Sequence, residues 1–442
     1  MSHITKVFAA AIASVFLALP LYAEVVVKDV TSPGGIKAWL VEDHSIPFTA
    51  LELRFRGGTS LDSPGKRGAT YLMSGLLEEG SGDMDSQAYA RKLESLAASF
   101  GYDIYSDTLA ISARFLTENR DEVIDLLKLT LMEPRFDEDA VERVKAQILS
   151  GLRSDEKDPS KIAGKAFYAS AFSDHPYATD GKGTIESVSV LTRDDMFDAH
   201  KAILAKDRVY VGAVGDITEA ELGALLDALL GELPETGAAM PGPADTDVPA
   251  GVTVVDFDTP QSQVLFGHAG ITRDDPDFFA AFILNRILGG GGFESRLMTE
   301  VREKRGLTYG VYSYLVPRDH AALYLGSVAS SNDRVAEAIE VIRDEWAKMA
   351  AEGVTEAELE AAKTYLTGAY PLRFDGNGPI ASIMVGMQME DLPIDYIATR
   401  NDNINAVTLE DIKRVAARIL DADALHFVVV GQPEGLATTT TN

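Results

Sequence analysis

Apolar and polar positions alternate through KAWLVED (37–43) and again through FTALELRFRGG (48–58). Period-two alternation is the mark of a half-buried strand. The period then changes. Ala69, Leu72, Met73, Leu76 and Leu77 fall at helical spacing, which predicts a helix over 68–78. Ser86 is placed to cap a second helix that Gly101 ends. YDIYSDTLAISARFL (102–116) reads as a strand pair, helices follow near 119–132 and 138–153, and RVYVGAVG (208–215) is a closing strand. The expected fold class is α+β, with helices packed on one face of a mostly antiparallel sheet.

GELPETGAAMPGPADTDVPAG (231–251) carries four Pro and four Gly and no apolar period, so it reads as a linker. The stretches on either side resemble each other. Aligning VLTRDDMFDAHKAILAKDRVYVGAVGD (190–216) with VTLEDIKRVAARILDADALHFVVVGQP (407–433) matches Thr192 with Thr408, Asp195 with Asp411, Ile203-Leu204 with Ile419-Leu420, and Gly215 with Gly431. All four pairs share one offset. RGGTSLDSP (56–64) and HAGITRDDP (268–276) form a looser pair. A single long offset predicts a duplicated domain, since solenoid periods are far shorter. The expected organisation is a domain over 24–232, a linker over 233–251, a homologous domain over 252–434 and a disordered tail over 435–442.

MSHITKVFAAAIASVFLALPLYAE opens with one Lys (Lys6), an apolar run from Val7 to Leu21 and a small residue, Ala23. This is a secretory signal pattern with cleavage after Ala23, too short to span a membrane. The chain has no cysteine, so disulfides and thiolate metal ligands are excluded. A periplasmic location and no membrane insertion are expected. The formal net charge is −28, which repels phosphate backbones and excludes nucleic acid as a partner. Basic or unfolded peptides suit that charge better.

GGGGFESRLMTEVREKRGLTYG (289–310) is the densest motif. Its glycines are not followed by the Gly-Lys-Ser/Thr of a phosphate loop and lack dinucleotide-fold spacing. The chain has no G-x-S-x-G elbow. Its seven histidines, at 3, 44, 175, 200, 268, 320 and 426, never fall close enough to share a helical turn, so no standard zinc motif is present. Leu297, Met298 and Val301 make an apolar stripe that Gly306 closes as a C-cap. Arg302 then ends a helix and Tyr309 begins a strand, so both can face the space beside the glycine loop. By residue type alone, a solvent-facing Arg and a core Tyr are the more ordinary account of the pair.

The run LGGGGFESRLMTEVREKRGLTYGVYSYL (288–315) closely resembles the C-terminal-domain signature of the pitrilysin/insulinase zinc peptidases, the inverzincins, whose small two-domain branch includes the mitochondrial processing peptidase. The resemblance extends over nearly the whole chain after the leader. It implies two homologous α+β domains. It also implies His-x-x-Glu-His on the helix at 68–78 and a distal Glu some way downstream. Here Tyr71 and Gly75 stand where the zinc ligands would be, Ser74 where the general base would be, and Gly151 where the distal Glu would be. Without zinc there is no bound water of lowered pKa to act as nucleophile. The resemblance assigns Arg302 and Tyr309 to hydrogen bonding the substrate's backbone carbonyl. It lets Gly289, Gly290, Gly291 and Gly292 admit a close backbone approach by substrate or partner. It thus implies no metal and no complete catalytic set in this chain. The chain reads as the zinc-less, substrate-binding subunit of an exported heterodimer whose homologous partner carries zinc and base. A peptide-binding or scaffold protein of the same ancestry, with no part in proteolysis, is the alternative.

Overall fold

The structure is a computed structural model that describes residues 26–440. The leader read at 1–23 lies outside the described residues. Eight strands belong to the first half: β1 (Lys28–Thr31), β2 (Lys37–Glu42), β3 (Phe48–Arg56), β4 (Gly80–Ser81), β5 (Met84–Asp85), β6 (Ser99–Ile104), β7 (Thr108–Leu116) and β8 (Val209–Gly215). β4 and β5 form a small hairpin; the rest build one sheet in the order β1-β2-β8-β3-β7-β6. The second half contributes β9 (Gly251–Asp256), β10 (Gln261–Ala269), β11 (Val311–Pro317), β12 (Ala322–Ser331) and β13 (His426–Gly431), in the order β11-β12-β10-β13-β9.

Superposing the two orders places β9, β13, β10, β12 and β11 on β2, β8, β3, β7 and β6. Each sheet has one parallel pair at the matching place, β2 with β8 and β9 with β13; the pairs of the other matched strands are antiparallel. The duplication read from the aligned segments is therefore also one of topology. The matched threonines do the same work: Thr192 and Thr408 cap helices Arg193–Ile203 and Leu409–Ile419, with Asp195 and Asp411 closing each capping box.

Each half's helices cover one face of its own sheet, and the other face is covered by a helix from the opposite half. Helix Pro159–Phe172 lies on β10 and β13, where Ala163, Phe167 and Phe172 pack with Leu325, Val428 and Val430. Helix Asn377–Met389 lies on β8 and β3, with Ile380, Ala381 and Met384 against Val214. Arg54 adds a hydrogen bond to Ser382 Oγ (2.6 Å) and Arg56 an ion pair to Asp319 (3.1 Å). The exchange gives both sheets a second apolar layer.

Several local expectations differ. Helix Ala69–Ser74 stops at Gly75 and continues as turns, although Leu76 and Leu77 remain buried. Asp85, not Ser86, caps helix Ser86–Ser95, and Gly101 sits within β6. The closing strand read at 208–215 is present as β8, between β2 and β3 in the sheet. The linker is tied down by Ala238 N–H to Ala202 O (2.9 Å) and Ala244 N–H to His320 O (2.8 Å). The tail, expected to be disordered, lays Thr438 and Thr439 along β9, where their hydroxyls accept the N–H groups of Val254 and Val252.

Candidate functional site

Helix Phe278–Asn285 runs into a wide turn at Arg286–Gly290 and a tight one at Gly292–Glu294. The glycines permit this path for different reasons. Gly289 is buried against Ser313 of β11, with no room for a Cβ, and Gly290 and Gly291 lie equally close to Asn285 and Arg286. Gly292 has open space but a φ of +61°, which favours glycine. Gly289 and Gly291 are therefore buried against their own chain, while Gly290 is exposed and Gly292 has open space beside it.

Leu297, Met298 and Val301 are buried, as the stripe predicts. Gly306, at φ +62°, ends the segment Met298–Glu303 by giving its N–H to Arg302 O (2.8 Å). The Thr308 hydroxyl donates to Ala329 O (2.6 Å) and accepts the Gly310 N–H (3.0 Å). That fixes the turn on which Tyr309 stands. β11 begins only at Val311, so Tyr309 precedes the strand it was expected to open, and it is 86% exposed.

Arg302 and Tyr309 line one open cleft of about 710 Å³, together with Gln261, Thr308, Ser330 and Arg334. The Arg302 guanidinium lies 4.6 Å over the Phe293 ring and makes no hydrogen bond or ion pair among the described residues. Two neighbouring acids are committed elsewhere, while Glu303, which lines the same cleft, has no ion pair among the described residues. Glu300 pairs with Lys304 (2.6 Å) and Arg305 (2.8 Å), and Glu358 takes Arg296 in two bonds (2.7 and 2.8 Å). Burial works against the Glu358 charge, but Arg296 and the Thr355 cap hold that carboxyl down at about 2. The cleft thus presents an unpaired guanidinium and a phenol hydroxyl, both donors suited to a carbonyl oxygen. Gln261 opens β10 and Arg334 is the N-cap residue of helix Val335–Glu352; nothing in their sequence surroundings marks them.

The positions aligned to the zinc site also meet. Tyr71, Ser74, Gly75 and Gly151 all line a second cleft, of about 550 Å³, in the first half. Ser74 donates to the Tyr71 carbonyl (2.9 Å), and Gly151 faces open space. Of the charged groups there, Glu79 is bound to Arg143 (2.5 Å) and Lys182 to Asp155 (2.9 Å). Among the described residues no group of three or more His, Cys, Asp or Glu side chains is placed to hold a metal ion. A tetrahedral zinc needs three or four N, S or carboxylate donors; a backbone, two glycines, a serine and a tyrosine do not fit it. Two of the histidines are engaged structurally: His200 bonds Leu131 O (2.9 Å) and His268 accepts from Trp346 Nε1 (2.9 Å).

Two sheets of one topology and a cleft at the place of an inverted zinc motif define a peptidase-type fold, and family comparison agrees. The insulinase (peptidase family M16) profile matches residues 37–184, and the peptidase M16 inactive domain profile matches residues 191–366. The chain belongs to the M16 peptidase family. It is 28% identical to the non-peptidase homolog YmxG of Helicobacter pylori, over 88% of this chain and 90% of that one. It is 26% identical to a protein of Mycobacterium leprae named an uncharacterized zinc protease, over 88% of each. A crystal structure of a peptidase M16 inactive domain from Pseudomonas fluorescens superposes with a TM-score of 0.86 at 29% identity, covering 94% of this chain and all of that one. No helix among the described residues is long and apolar enough to cross a membrane.

Proposed function

We propose that this chain is the non-catalytic, substrate-binding subunit of an exported two-chain zinc peptidase. It contributes Arg302 and Tyr309 to a composite site whose zinc and general base come from a homologous partner. The observation that carries this reading is the asymmetry between the two clefts. The cleft lined by Tyr71, Ser74, Gly75 and Gly151 has no group of three or more His, Cys, Asp or Glu side chains placed to hold a metal among the described residues. The other cleft keeps an Arg and a Tyr with free donors facing one space. A chain that only scaffolds has no physical need to leave a guanidinium unpaired in a cleft that also holds Glu303.

In the composite site, a peptide carbonyl gains negative charge as water attacks it. Arg302 N–H groups and the Tyr309 hydroxyl are suited to stabilise that oxygen, because both are hydrogen-bond donors that line one cleft. The name of the Helicobacter relative, a non-peptidase homolog, fits a chain that does not cleave by itself. The test is turnover by the purified two-chain complex carrying Arg302→Ala or Tyr309→Phe. Arg302→Ala is expected to lower turnover by about 100-fold or more, and Tyr309→Phe by about tenfold, with assembly intact. Unchanged turnover in both variants rejects the clamp.

A further inference from the structure

Phe293 follows Gly292 and is 63% exposed, an unusual setting for a large apolar ring. The positive φ of Gly292 starts the tight turn that carries Phe293 onto the surface. The one cation over its face is Arg302, at 4.6 Å. A guanidinium over an aromatic face is attracted by the ring's quadrupole and keeps its in-plane N–H groups directed outward. A carboxylate in that place would hold the same charge but occupy those donors.

We propose that Phe293 is a positioning residue: it holds Arg302 over its ring so that the guanidinium is oriented toward the cleft with its donors unoccupied. This rests on the substrate-binding reading of Arg302. The loop chemistry supports the assignment. Glu300 is neutralised by Lys304 and Arg305, and Glu294 lies 3.6 Å from Arg286. Glu303 lines the same cleft as Arg302 and has no ion pair among the described residues. Without the ring, Arg302 is free to turn to Glu303, and the clamp would close on itself.

The experiment is binding of a fluorescently labelled, unfolded basic peptide to the full mature chain, read by anisotropy. The proteins are the wild type, Arg302→Ala, Phe293→Ala, Phe293→Leu, Phe293→Tyr and the Phe293→Ala/Arg302→Ala double variant. Phe293→Ala and Phe293→Leu are expected to weaken binding by about two- to fivefold, while Phe293→Tyr retains wild-type affinity. Phe293→Ala should add nothing in the Arg302→Ala background. If Phe293→Leu binds like the wild type, or if the Phe293→Ala penalty persists without Arg302, the positioning role is wrong while the clamp stands. If the wild type does not bind, or Arg302→Ala binds as the wild type does, the substrate-binding reading itself fails.

Discussion

Tyr309 owes its exposure to the turn that the Thr308 hydroxyl fixes, and Arg302 lies over the Phe293 ring with Glu300 neutralised by Lys304 and Arg305. Both residues were legible in the sequence through their spacing and the family resemblance. Phe293 was not, because a stacking partner nine residues away across an irregular loop has no periodic signal. His200 shows a second kind of residue effect. Its Nε2 bonds the Leu131 carbonyl, and burial pushes its pKa from 6.5 down to about 4. The unfolded chain takes up the proton first as the pH falls. The stabilisation is therefore complete above pH 6.5 and is lost on going from 6.5 to about 4. His200→Gln is expected to show a smaller drop in urea midpoint between about pH 7 and about pH 5 than the wild type. Equal drops contradict the assignment. Glu221 and Glu358, both held down at about 2, act in a lower window. They stabilise above 4.5 and lose that effect as the pH falls through about 2.

At the scale of elements, the glycine run separates two physical roles that look identical in sequence. Gly289→Ala forces a Cβ into Ser313 of β11 and is expected to cost about 1–3 kcal/mol. Gly292→Ala meets no atom and carries only the backbone penalty of positive φ, about 1 kcal/mol. Urea unfolding of the two variants checks that order. Glu358 joins two elements: it closes the cap of helix Glu356–Ala369 and binds Arg296, just ahead of the Arg302 segment. Glu358→Ala leaves a half-buried guanidinium unpaired and is expected to cost about 3 kcal/mol in the same assay. Several first-half strands and helices, such as β2, β3, β7 and helices Arg120–Met132 and Glu138–Asp155, were readable from periodicity. The helix over 68–78 was overread because Leu76 and Leu77 stay buried after the chain leaves the helix, so the apolar period outlasts the backbone geometry. The place of β8 inside its sheet was not readable, since pairing order is decided by contacts far along the chain.

The whole molecule is held by exchange. Each sheet depends on a helix of the other half, through Phe167 on one side and Met384 on the other. The helix at 159–172 was not among the elements read from the sequence, and no local pattern says which sheet a helix covers, which is why the duplication was legible and the exchange was not. Calorimetry is expected to give one cooperative transition for the two halves, and Phe167→Ala should lower it as a unit, at a cost of about 3–5 kcal/mol. Two separate transitions would show independent halves. At this scale the central claim is that the molecule is half of an active site. The most direct measurement is affinity capture of the tagged chain from its native compartment, with mass spectrometry of what co-elutes at near-equal amount and a peptide-cleavage assay with and without chelator. The account predicts a homologous chain carrying His-x-x-Glu-His and cleavage that the chelator abolishes. Elution alone or only with itself, with no cleavage after zinc is added, would contradict it.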